Sequence, residues 1–93
     1  MSTRILLLNG PNLNLLGQRD TAMYGAQTLE ALERVVAEHA ASLGAEILNV
    51  QSNVEGELIN ALHDAQETCI GVVFNPGGYS HTSVALRDAV EAV

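Results

Sequence analysis

Short, wholly aliphatic runs alternate along the chain with stretches whose apolar side chains recur every three or four positions. Ile5-Leu6-Leu7-Leu8 contains no polar position, which predicts a strand covered on both faces and stopped at Asn9-Gly10-Pro11. Periodicity then lapses from Gly10 to Gln27, a stretch with three Gly and one Pro. Such a length exceeds ordinary connections and predicts a lid or binding loop. Thr28 is expected to cap a helix whose apolar face is Leu29, Leu32, Val35, Val36, Ala40 and Leu43, with Gly44 as its stop. Glu46 to Val50 reads as a second strand. Ser52-Asn53-Val54-Glu55 has the spacing of a capping box and opens a helix with Leu58, Ile59, Leu62 and Ala65 on one side. Cys69 to Phe74 is a third, β-branched strand that halts at Asn75-Pro76-Gly77-Gly78. A third helix is expected from Thr82 or Ser83, with Leu86, Ala89, Val90 and Val93 facing inward.

The resulting order, βαβαβα, specifies an α/β fold: a doubly wound parallel sheet with right-handed crossovers and helices on both faces. One domain covers residues 1–93, and doubly wound sheets usually continue for two more βα units. The expectation is therefore of a domain cut before its last strands and helices.

Composition narrows the function. With 47% hydrophobic and 16% charged side chains the chain is neither a disordered tail nor a repeat. Four Arg and no Lys stand against eleven Asp and Glu, a net charge of −7. The missing Lys excludes imine chemistry on a lysine of this chain and a lysine phosphate loop. The acidic balance argues against a nucleic-acid partner, whose phosphates demand basic clusters. No apolar run approaches the roughly 20 residues of a membrane span. Ile5–Leu8 is also too short for a signal peptide's apolar region. Cys69 stands alone, so no internal disulfide can form, and a reducing compartment, the cytoplasm, is expected. Metal-ligand spacing is absent, so no metal is expected.

In open parallel sheets ligands bind beyond the carboxyl ends of the strands. Two polar segments leave those ends, Asn9 to Asn14 and Asn75 to Ser83, and if the strand order is 2-1-3 they lie side by side over one crevice. The first has neither G-x-G-x-x-G nor G-x-x-x-x-G-K spacing, but Asn12 could hold a substrate oxygen or a water. Arg19 and Tyr24 share the loop that follows. A free Tyr titrates near pH 10, so ionising it at pH 7 costs about 4 kcal/mol. A guanidinium within about 4–6 Å could lower that value by roughly 1–3 pH units, giving a usable tyrosinate base. In the second segment Asn75, Tyr79, His81, Thr82 and Ser83 precede a helix start, which favours an anionic or hydroxyl-bearing ligand. His81 can donate or accept there.

Each of these residues also has a plainer reading. Asn9 and Asn12 could satisfy backbone groups in a turn, and Tyr24 could anchor a loop with its hydroxyl wet. Arg19 could be a solvated charge, Asn75 a cap on the sheet edge, and Thr82 or Ser83 only a helix cap. His39 and His63 read as structural, and Cys69 as a small buried hydrophobe. The helix acids, Glu30, Glu33, Glu38, Glu55 and Glu57, read as solvated faces and partners of the helix dipoles.

The two segments resemble the signatures of the type II 3-dehydroquinate dehydratases (type II dehydroquinases). Asn9-Gly10-Pro11-Asn12-Leu13-Asn14-Leu15-Leu16-Gly17 is similar to the first, with Arg19 and Tyr24-Gly25 following at family spacing. Asn75-Pro76-Gly77-Gly78-Tyr79-Ser80-His81-Thr82-Ser83 is similar to the second, and Ala85 to Ala89 extends it. The resemblance covers the whole chain, about the first two-thirds of a typical member. It implies a flavodoxin-like fold, with strand order 2-1-3 for the part present, no cofactor, and dehydration of the small-molecule substrate 3-dehydroquinate to 3-dehydroshikimate in the shikimate pathway. It further implies that Tyr24 removes the proton next to the ketone and that Arg19 lowers its pKa and steadies developing charge. Asn12 would hold the water that meets the enolate oxygen. Asn75 and His81 would bind the substrate's polar groups. Asp88 would bind at a subunit contact, in trimers that build a dodecamer. The lack of Lys separates the chain, on chemistry alone, from type I dehydroquinases, which need a lysine imine.

Two departures from the family pattern stand out. Its next motif, of E-V-H-x-S-N type, supplies the His that protonates the leaving hydroxyl, and a later Arg belongs to the binding site. Neither occurs before Val93, so the 93 residues alone are expected to be inactive or severely impaired. Asp20-Thr21 stands where the family commonly has Glu-Pro. Losing that Pro frees the loop by about 0.4–1 kcal/mol of unfolded-state entropy. The rival expectation is a non-catalytic flavodoxin-like binding or assembly module. A phosphoacceptor receiver, one form of that rival, would want acids where this chain has Asn9 and Asn75.

Overall fold

The computed structural model describes residues 3–18 and 25–93. Three strands form its sheet: β1 (Arg4–Asn9), β2 (Glu46–Gln51) and β3 (Gly71–Asn75). All pair in parallel, as the alternation of runs predicts, and in the order β2-β1-β3 that the family resemblance implies. The helices are α1 (Leu29–Ser42), α2 (Glu55–Thr68), α3 (Tyr79–Thr82) and α4 (Val84–Ala92), and Leu13–Leu15 makes one 3-10 turn.

The crossovers from β1 to β2 and from β2 to β3 run in opposite directions along the sheet, so right-handed connections put α1 on one face and α2 on the other. Side chains alternate along β1, so Leu6 and Leu8 point to the α2 face. They are buried there with Leu58, Leu62 and Ala65 of α2 and Leu86 and Ala89 of α4. Leu7, Leu29 and Ala40 are buried outside that cluster. Leu58 is fully buried, so Leu58→Ala should destabilise the fold by about 2–5 kcal/mol. In urea unfolding the midpoint should fall with the slope unchanged. Leu43→Ala is the control. With Leu43 73% exposed, its cost should stay within about 0.5 kcal/mol.

Several local expectations need correction. The capping box at Ser52–Glu55 does not form. Val54 is the N-cap, in extended conformation, because the chain completes a turn around Ser52 before the helix begins. Ser52 Oγ accepts from Val54 N–H (2.9 Å) and donates to Glu57 (3.2 Å), while Glu55 accepts a hydrogen bond from Ser83 Oγ instead. Cys69 closes α2 rather than opening β3, since its N–H still donates to Ala65 O (2.9 Å). Val35, Leu43, Val90 and Val93 are exposed rather than inward. For α1 the reason is that it rests on the edge strand β2 and the 3-10 turn, so its apolar stripe overhangs the sheet. The caps at Thr28 and Ser83 do form: their oxygens accept from Ala31 N–H (3.1 Å) and Leu86 N–H (3.0 Å).

Candidate active site

Parallel register carries the three strand ends to one line. Asn9 lies between Gln51 and Asn75, its Cα partners across the sheet. The turns that leave β1 and β3 therefore start side by side. Gly10 N–H donates to Asn75 O at 2.8 Å. A Cβ on Gly10 would stand 2.5 Å from Pro76 O, so only glycine permits this approach. Across the same contact Gly77, at φ +60°, would place a Cβ 3.1 Å from Pro11 O. The two turns expected to be neighbours under strand order 2-1-3 do lie side by side.

Asn12, just past the first turn, adopts left-handed backbone dihedrals (φ 69°, ψ −4°), and its side chain is solvent-exposed. Its carbonyl accepts from Leu15 N–H (3.0 Å), which starts the 3-10 turn. Asn75 turns its Oδ1 back to Gly77 N–H (3.2 Å), so half of its amide serves its own turn. Asn9 is buried, and its Nδ2 has no partner among the described residues.

His81 sits in α3 and lines a groove of about 610 Å³ with Phe74, Tyr79, Ser83, Leu86 and Arg87. Neither Asn12 nor Asn75 borders that groove. Asp88 lies on the exposed side of α4, one residue past Arg87 and outside the groove lining. Arg19 and Tyr24 lie outside the described residues. Asn12 and Asn75 thus share the line of strand ends, His81 follows one helical turn later, and Asp88 stands apart.

Two polar residues of the β2 end escaped sequence reasoning. Asn53 Oδ1 accepts from Asn12 N–H at 2.9 Å, and Gln51 Nε2 donates to Gly10 O at 3.1 Å. Both contacts span 41 residues, so no local periodicity reports them.

The Dehydroquinase class II family model matches residues 3–93. The chain belongs to the class II dehydroquinase family. Among this family's curated members, the 3-dehydroquinate dehydratase of Corynebacterium glutamicum is 58% identical over 92 residues, covering 99% of this chain and 63% of that protein. Catabolic 3-dehydroquinase 1 of Fusarium vanettenii is 52% identical, covering all of this chain and 65% of its own length. The crystal structure of type II dehydroquinase from Butyrivibrio crossotus superposes with a TM-score of 0.94 at 41% identity. That match covers 99% of this chain and 64% of that one. The chain spans somewhat under two-thirds of the length of these dehydroquinases. Among the described residues no group of His, Cys, Asp and Glu is arranged to hold a metal ion. No described helix is long and apolar enough to cross a membrane.

Proposed function

We propose that the protein carrying this chain is a hydro-lyase that dehydrates 3-dehydroquinate to 3-dehydroshikimate through an enolate. The observation that carries this reading is the backbone contact of the two asparagine-bearing turns, with Gly10 against Pro76 and Gly77 against Pro11. It gives a family with two signatures a single place to work. Proton abstraction beside a ketone needs a base and a preorganised group at the enolate oxygen. In this reading Tyr24 is the base, and Arg19 keeps its phenolate accessible near neutral pH. Asn12 holds the water that donates to the enolate oxygen. Asn75, through the amide nitrogen its own turn leaves free, and His81 bind the substrate's polar groups.

Asp88, exposed on α4, completes the site from a subunit contact in trimers that build a dodecamer. No cofactor takes part. A reducing cytoplasm suits the lone Cys69. The reaction serves the shikimate pathway in this reading, although the catabolic name of the Fusarium relative marks the chemistry, rather than the route, as the shared property.

The product is a ketone conjugated with a ring double bond, so mixing the purified full-length protein with 3-dehydroquinate should produce a rising ultraviolet absorbance. The rise should be insensitive to chelators. A flat trace at micromolar protein and millimolar substrate would refute the assignment.

A further inference from the structure

We infer that Asn53 is a positioning residue for the dehydration, a strut that holds Asn12 against the second turn. The inference rests on the proposed role of Asn12 in holding a water at the enolate oxygen. Left-handed dihedrals are uncommon for any residue with a side chain, and Asn12 keeps them on an exposed turn. What fixes its amide is Asn53, whose Oδ1 accepts from Asn12 N–H at 2.9 Å. The same Oδ1 accepts from Gln51 Nε2 at 3.3 Å, and Gln51 Nε2 reaches Gly10 O at 3.1 Å. Two points of the first turn, Gly10 and Asn12, are therefore gripped by one pair of amides from the end of β2.

The grip extends to the other turn. The Tyr79 hydroxyl donates to the main-chain carbonyl of Asn53 at 3.1 Å, which ties α3, and with it the His81 segment, to the same residue. Asn53 is itself held on both sides. Ser52 N–H donates to Asn9 O (3.0 Å), and Ser52 Oγ accepts from Val54 N–H (2.9 Å). A side chain so placed but exposed adds nothing to the core, so its contribution falls on the geometry between the turns.

The test uses Asn53→Ala and Asn53→Asp in the full protein, with steady-state kinetics, thermal melting and amide hydrogen exchange. Asn53→Ala should lower kcat about 10–100-fold with KM within about threefold of the parent, because misplacing a reacting group by roughly 1 Å costs on the order of 10²-fold. The melting temperature should move by only a few degrees. Asn12 N–H should exchange at least about tenfold faster in Asn53→Ala. Asn53→Asp retains an acceptor oxygen and should restore protection at that amide. Unchanged exchange at Asn12, or a parent-like kcat in Asn53→Ala, would overturn the inference. So would a loss of activity that follows a large drop in melting temperature. Absence of turnover in the parent protein would instead refute the dehydratase reading, while the exchange measurement still decides the strut.

Discussion

Replacing Tyr24 by Phe should lower kcat by about 10²–10⁴-fold, the range expected when a positioned general base is removed. Phe keeps the ring and loses only the hydroxyl, so substrate should still bind. KM should accordingly change little. Tyr24 lies outside the described residues, and this expectation follows from its family spacing after the first turn. The kinetic pattern is diagnostic. A variant that raises KM at unchanged kcat would make the phenol a binding group and leave the base to another residue. The reason a phenol needs help is energetic: at pH 7 its ionisation is uphill by about 4 kcal/mol, and a guanidinium within about 4–6 Å would offset part of that.

Gly10→Ala should be the most damaging small substitution in the crevice. The added methyl would meet Pro76 O at 2.5 Å and Pro76 C at 2.8 Å, and both are backbone atoms that no side-chain rotation can move. Either the turns separate or β1 and β3 lose register. Overpacking of this kind costs typically 1–3 kcal/mol, and displacing the turns by about 1 Å should lower kcat on the order of 10²-fold. Gly56→Ala provides the contrast. Gly56 lies in α2 with nothing within 4 Å of an added Cβ, so alanine there should be neutral or stabilising by up to about 1 kcal/mol. Melting curves and kcat for the two variants check both expectations. Equal behaviour would contradict the close approach of the turns.

Strands, their parallel pairing and two helix caps were legible because their causes are local. Ile5 to Leu8 has no polar face to turn to solvent, and a βαβ unit allows one handedness. Thr28 and Ser83 cap by reaching three residues along the chain. The ends of the helices were harder to read. Cys69 to Phe74 is one apolar run, and nothing in it marks that the amide of Cys69 still belongs to the helix before it. The short helical turns at Leu13–Leu15 and Tyr79–Thr82 have too few residues to show a period. They also sit beside the contact between Gly10 and Pro76, which only the folded sheet creates.

Of the candidate site, Asn12 and Asn75 were visible as asparagines in glycine-rich turns at strand ends. Asn53 looked like the second position of a capping box, because its partners Asn12 and Tyr79 lie 41 and 26 residues away. The exposure of Val35 and Leu43 was likewise hidden, since periodicity reports an apolar stripe and not how far a helix overhangs its sheet.

Titration of isotopically labelled Tyr24→Phe protein with 3-dehydroquinate, followed by amide chemical shifts, measures the shared crevice directly. Without the phenol the substrate should bind and persist, and the amides of Asn12, Gly77 and His81 should shift together along one saturation curve. Shifts confined to one turn, or clustered on another face of the sheet, would contradict a single site built from both.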